Sequence, residues 1–152
     1  MATDIKIVIT GDEKVIASLS NLQNQLERPK EPLKNSSDLM MAAIMENFKS
    51  QGRIFGKPWI PLSPTTVKIK KILGYGGKPP LVRTGAMKGG FRSKIEKNKL
   101  VIDNPVPYFP SHQIGEKRIP QRVMLRIDRT HLHLIIDAFT DWIVGIIKKS
   151  VK

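Results

Sequence analysis

The sequence predicts an α+β fold. Three segments repeat apolar side chains at helical spacing, two short runs read as strands joined by a turn, and glycine and proline crowd the stretch between residues 52 and 80. At 152 residues and 17.1 kDa the chain fits one domain, 1–152, with a hydrophobic content of 40%, enough for a modest core.

From the start of the chain, Ile5, Ile7 and Ile9 alternate with Lys6 and Val8, which predicts a strand ending at Thr10-Gly11. Asp12 is placed to cap a helix whose face is Val15, Ile16, Leu19, Leu22 and Leu26, and Pro29 and Pro32 are expected to end it. A second helix is expected from Ser36 or Ser37, with Met40, Met41, Ile44 and Phe48 as its apolar face and an end by Gly52. That methionine cluster reads as core filling, since thioether chains adapt to irregular gaps. After an irregular stretch, Ser63-Pro64 predicts an N-cap with a first-turn proline and a third helix from Thr65 to about Leu73. Gly74-Tyr75-Gly76-Gly77-Lys78-Pro79-Pro80 reads as a flexible loop, 74–80, within the domain.

Further along, a short turn or helix is expected around Ala86–Lys88. Phe91–Glu96 and Leu100–Asp103 read as strands joined at Lys97-Asn98-Lys99. Pro105, Pro107 and Pro110 mark a loop carrying Tyr108, Phe109, His112 and Gln113, and Val123–Ile127 reads as a last short strand. Leu132, Ile135, Ile136, Phe139, Ile143, Ile146 and Ile147 define a C-terminal amphipathic helix, with Asp128 or Thr130 as cap and Lys148 and Lys149 at the negative end of its dipole. Its apolar stripe is wide enough to face both the core and a neighbouring subunit.

Charge divides the chain unevenly. The whole carries +13, yet residues 51–100 hold 12 basic side chains against the single acid Glu96, a net of +11. Such a block attracts polyanions or an acidic protein surface, and salt weakens the attraction. No basic start followed by an apolar run is seen at the N-terminus, so a cleaved secretory signal is not expected. The apolar stretch Leu132–Ile147 contains Asp137 and Asp141 and is short for a bilayer, so the chain is read as soluble, intracellular and without a membrane partner.

Catalytic chemistry finds little support. Cysteine is absent, which excludes disulfides, thiolate metal sites and cysteine nucleophiles. His131 and His133 diverge at a helix start and lack a completing carboxylate set, so no metal site is expected. Asp137 and Asp141 read as the polar border of the helix. No Gly-x-Ser-x-Gly elbow occurs, and Gly74-x-Gly76-Gly77-Lys78 is followed by prolines instead of the Ser/Thr and helix that a phosphate loop requires. No enzyme, catalytic residue or cofactor is expected. Lys68, Lys70, Lys71 and Lys78 are candidates to face DNA or a partner, with Arg53 and Lys57 nearby. Non-specific DNA binding through the basic central segment is therefore the alternative reading.

The irregular segments carry an ordered set of motifs. Gly56-x-Pro58-Trp59-x-Pro61-Leu62-Ser63-Pro64-x-Thr66 is followed by Leu81-Val82-x-Thr84-Gly85-x-Met87. Tyr108 with His112-Gln113-x-Gly115 comes next, then Ile119-Pro120-Gln121-Arg122. Over about residues 47–128 this set resembles the phage virion morphogenesis family, the tail-completion proteins of Mu-like and related tailed bacteriophages. Two departures are Phe109, where the family favours a small residue after the tyrosine, and the strongly apolar C-terminal helix.

The resemblance implies a non-enzymatic, ring-forming virion subunit, most often hexameric, in which helices pack on a small antiparallel sheet beside a long Gly/Pro-rich central loop. Its implied role is tail completion and head–tail joining at the neck. The implied partners are further copies of itself, the tail tube or terminator and the head connector, with non-specific contact to DNA in the lumen. Its implied location is the virion, and the bacterial host cytoplasm during assembly. Within that picture Trp59, bracketed by Pro58 and Pro61, anchors an irregular loop to the core, and Thr84-Gly85 makes a tight corner. His112, Gln113 and Arg122 hold the Pro-rich loop or reach an adjacent subunit.

Overall fold

The computed structural model describes residues 12–150, so the strand expected at 5–9 lies outside the described residues. Within them the order is α1 Asp12–Leu26, α2 Lys30–Lys49, α3 Pro64–Ile72, α4 Ala86–Gly89, β1 Arg92–Glu96, β2 Lys99–Asp103, α5 Phe109–Ile114 and α6 Arg129–Ser150. The class is α+β: helices with one two-stranded antiparallel sheet.

Helix α2 is the centre of the packing. It meets α6 and the β1–β2 hairpin, while α1 lies against α6. Met40, Ile44 and Phe48 project from it into a core completed by Phe55, Trp59, Met87, Phe91 and Met124. Edge-to-face aromatic contacts order this core: the Phe48 and Trp59 rings lie 5.2 Å apart at 85°, and Phe91 and Phe109 lie 5.5 Å apart at 89°. In the hairpin, Arg92 pairs with Asp103 and Glu96 with Lys99, which leaves Lys97 and Asn98 as the turn. The Arg92–Asp103 fork across its open end is solvent-exposed, so it fixes register more than it stabilises.

Three expectations about secondary structure need correction. The second helix starts at Lys30, six residues before Ser36, with Pro29 at the cap position and Pro32 in the first turn. A helix leaves its first N–H groups without intrahelical partners, so proline costs nothing there, and both prolines start α2 instead of only ending α1. The Pro-rich stretch after Pro105 contains a six-residue helix, α5, with Pro110 likewise in its first turn. Val123–Ile127 is no strand, because side chains replace the neighbouring strand that a ladder would need.

The N-cap of α3 follows the sequence reading: the Ser63 Oγ accepts the Thr66 N–H at 3.2 Å. At the start of α6, Asp128 Oδ1 accepts the His131 backbone N–H at 2.9 Å, and that bond, above all, holds the Asp128 carboxyl below its ordinary value. Helix α6 reaches 22 residues, long and apolar enough by length and composition to cross a membrane, and only 11% of its most apolar window is buried. The expectation that it is too short for a bilayer is therefore corrected. Asp137 and Asp141 still stand on it, and two carboxylates in hydrocarbon are costly.

Candidate functional site

Backbone without a ladder must find other partners. At 123–125 the partners are side chains from distant segments. Asn47, fully buried on α2, donates from Nδ2 to the Val123 carbonyl at 3.0 Å and accepts the Phe55 N–H at its Oδ1. Trp59 Nε1 donates to the same Val123 carbonyl at 3.0 Å. From the other side, Gln113 Oε1 accepts the Met124 N–H at 2.8 Å and the Leu125 N–H at 3.2 Å, while its Nε2 donates to the Leu125 carbonyl. Three side chains thus staple one extended segment between α2 and α5.

Two glycines make the staples reachable. Gly52 sits at φ 98° directly beneath the Trp59 indole, where any Cβ would overlap the ring. Gly115, at φ 83°, closes α5 against Gln121, whose backbone N lies 3.0 Å from where a Cβ would stand.

Residue 122 leads into a cleft. The Arg122 N–H donates to the His112 carbonyl at 2.7 Å, and its Nη2 donates to the Ile60 carbonyl at 2.9 Å. The first bond fixes the backbone and the second the guanidinium, so that Arg122, 5% exposed as a residue, stands in the wall of a cleft of about 410 Å³. Leu62 and Thr66 reach this cleft from the entry to α3, Thr84 from the corner before α4, and Tyr108 and His112 from α5 and its cap. Leu62, Thr66, Thr84, Tyr108, His112 and Arg122 come from all four ordered motifs and share one concavity.

Its electrostatics are one-sided. Lys70, Arg83 and Arg122 line the cleft, and no carboxylate is among its lining residues. Burial pulls the Arg122 guanidinium down from its ordinary value, although arginine stays charged at neutral pH. Burial, and then the Arg122 charge, lower the His112 imidazole. Two buried polar atoms there, Arg122 Nε and His112 Nδ1, have no hydrogen-bond partner among the described residues. Leaving a donor so costs about 1–3 kcal/mol, more when it is charged.

The remaining predicted residues fall as follows. Trp59 is buried at the centre of the core, whereas Pro61 beside it is exposed. Thr84 Oγ1 accepts the Ala86 N–H, and Gly85 follows in the left-handed region at φ 87°, which makes the corner into α4. Pro120 is half-buried behind the Gly115 turn. Lys68 and Lys71 are exposed on α3, and Lys78 is exposed while its Nζ donates to the Arg83 carbonyl.

Lys70 corrects the sequence reading. It is 7% exposed, and its Nζ donates to the Lys78 and Pro79 carbonyls at 2.6 and 3.0 Å, so it clasps the Gly/Pro segment to α3 instead of facing a partner. Burial first, then the Lys78 and Arg83 charges, lower its ammonium from the ordinary value.

His131 is buried against Phe55 with Nδ1 2.7 Å from Asp128, while His133 is exposed, so the two do not converge. No metal-holding cluster of His, Asp or Glu occurs among the described residues. The staple residue missed in the sequence is Asn47. It lies three residues after Ile44 and seven after Met40, a polar side chain inside the apolar stripe of α2, and that position was the available signal. Comparison with known proteins finds no matching family model, no similar curated protein and no similar solved structure.

Proposed function

We propose that the chain is a structural subunit of a tailed-phage virion that acts in tail completion and head–tail joining, assembled as a ring on the head-proximal end of the tail. The observation that carries this reading is the convergence of the four ordered motifs. Segments up to about 60 residues apart in sequence supply Leu62, Thr66, Thr84, Tyr108, His112 and Arg122 to one cleft. Residues from each motif of the set that resembles the morphogenesis family thus meet in one place, which supports reading the motifs as a unit.

Assembly draws support from the surface. Ile16 and Leu19 on α1 and Leu132, Ile136 and Ile147 on α6 are exposed apolar side chains, more than a solitary subunit gains by showing to water. Rings bury such faces between copies. In this arrangement the exposed Lys68, Lys71 and Lys78 face the lumen DNA or an acidic surface of the connector or tail tube.

Electron microscopy of particles from a phage unable to express the chain tests the reading. Filled heads beside separate tails, with infectivity restored by added protein, are expected. Intact infectious virions would refute it.

The exposed Lys68 and Lys71, with the net of +11 over residues 51–100, favour non-specific DNA binding as the second reading. Its mark is DNA affinity of the monomer that falls steeply with salt, and that Lys68→Gln with Lys71→Gln reduces at every sequence tested.

A further inference from the structure

We infer that the cleft beside Arg122 is a docking site for a single carboxylate, carried between apolar side chains on a partner polypeptide. The inference is independent of the virion reading, because it rests on the cleft alone. Arg122 is held in the wall by its bond to the Ile60 carbonyl, yet its Nε is buried and without a partner among the described residues. A guanidinium presents its donors as a planar fork that matches a carboxylate. Arg83 adds a second, exposed cation, and no acidic side chain lines the cleft to satisfy either one.

The surroundings specify what flanks the charge. Leu62, Ile69, Leu73, Leu81 and Met87 make most of the wall apolar. A volume of about 410 Å³ falls within the range of ligand-sized clefts, about 300–1,000 Å³. A nucleic-acid backbone fits less well. Its phosphates repeat along the strand and are met by several cations together, whereas the basic side chains that line this cleft are Arg122, Arg83 and Lys70 alone. Lys70 takes no part in the contact, since its ammonium is committed to the Lys78 and Pro79 carbonyls.

The test uses the full chain and two blocked peptides, acetyl-Leu-Glu-Leu-amide and acetyl-Leu-Gln-Leu-amide, followed by NMR of the arginine Nε–H and methionine methyl signals. The glutamate peptide should shift the Arg122 Nε–H and the Met87 methyl saturably, and the glutamine peptide should bind at least about tenfold more weakly. Arg83→Gln should weaken the glutamate peptide while leaving the fold unchanged. Equal shifts with both peptides, or none up to about 10 mM, would overturn the inference. A short single-stranded oligonucleotide that saturates the same signals more tightly than the glutamate peptide would assign the cleft to phosphate and overturn it as well. Arg122→Lys should lose the preference for glutamate; if that variant fails to fold, the two peptides on the unaltered chain still decide.

Discussion

Two regions of the molecule use their side chains in opposite ways. Around α2 and the segment 122–125, polar side chains reach inward to complete the backbone: Asn47, Trp59 and Gln113 between them hold Val123, Met124 and Leu125. Along α1 and α6, apolar side chains point outward. Ile16 is 62% exposed and Ile136 is 49% exposed, and among the described residues of α6 only His131 and Ile146 are buried. The backbone of Val123, Met124 and Leu125 finds its partners within the one chain. The second region leaves large apolar side chains in contact with water, a cost that the buried side chains of the first region do not carry.

The largest effect should come from the centre of the stapled region. Trp59→Ala removes a buried indole, its edge contact with Phe48 and the bond to the Val123 carbonyl, so it should destabilise the fold by about 3–5 kcal/mol. Urea unfolding of the purified variant measures it. A loss below about 1 kcal/mol would mean that the stapled region is not where stability resides.

Gln113→Ala comes next. It leaves the Met124 and Leu125 N–H groups without their acceptor in a part-buried site, and should cost about 2–3 kcal/mol in the same assay. Gln113→Met keeps most of the side-chain volume but supplies neither acceptor nor donor, so it should cost about as much as Gln113→Ala. If Gln113→Met is close to neutral, volume and not hydrogen bonding explains the staple. The exposed N-cap of α3 sits lower on the scale: Ser63→Ala should cost about 1 kcal/mol.

His112 gives the stapled region a pH signature. Burial and Arg122 lower its folded pKa beneath the ordinary value of 6.5, so the unfolded chain takes up a proton that the folded chain refuses. The contribution of neutral His112 is therefore intact above about pH 6.5 and is lost as pH falls from there through the lower folded value. His112→Phe should flatten the decline in stability between about pH 7 and 5. Asp128 acts in a separate window. Its lowered carboxyl contributes above the ordinary 3.8 and is lost only as pH falls below that.

What the sequence disclosed follows the range of the physics involved. Helix α3, the hairpin and α6 were legible because a cap, a turn and a 3.6-residue period are local signals. The start of α2 was hidden because Pro32 breaks a helix at most positions and is harmless at the third. The strand expected at 123–127 failed for a long-range reason: its backbone partners are Asn47 and Trp59, 76 and 64 residues from Val123. Lys70 looked like one of several surface lysines until the chain returned to offer it two carbonyls. The motif residues were readable individually, while their meeting in one cleft required the fold.

The smallest expected change in stability sharpens the comparison most. Ile16→Glu with Ile136→Glu places two carboxylates on faces that are already solvent-exposed, so the unfolding free energy of the subunit should move by no more than about 0.5 kcal/mol. If those faces meet other copies, the same pair should abolish the oligomer in sedimentation velocity, because like charges would be forced into an apolar contact. A fall in stability comparable to that of Trp59→Ala would place both faces in the core and erase the distinction between the regions. Unchanged stability and unchanged size, with vesicle binding present in the parent and lost in the variant, would assign the apolar face of α6 to a lipid surface. A helix of 22 residues has the length for that, while Asp137 and Asp141 weigh toward a protein neighbour, where a carboxylate at the border of the interface can keep its water.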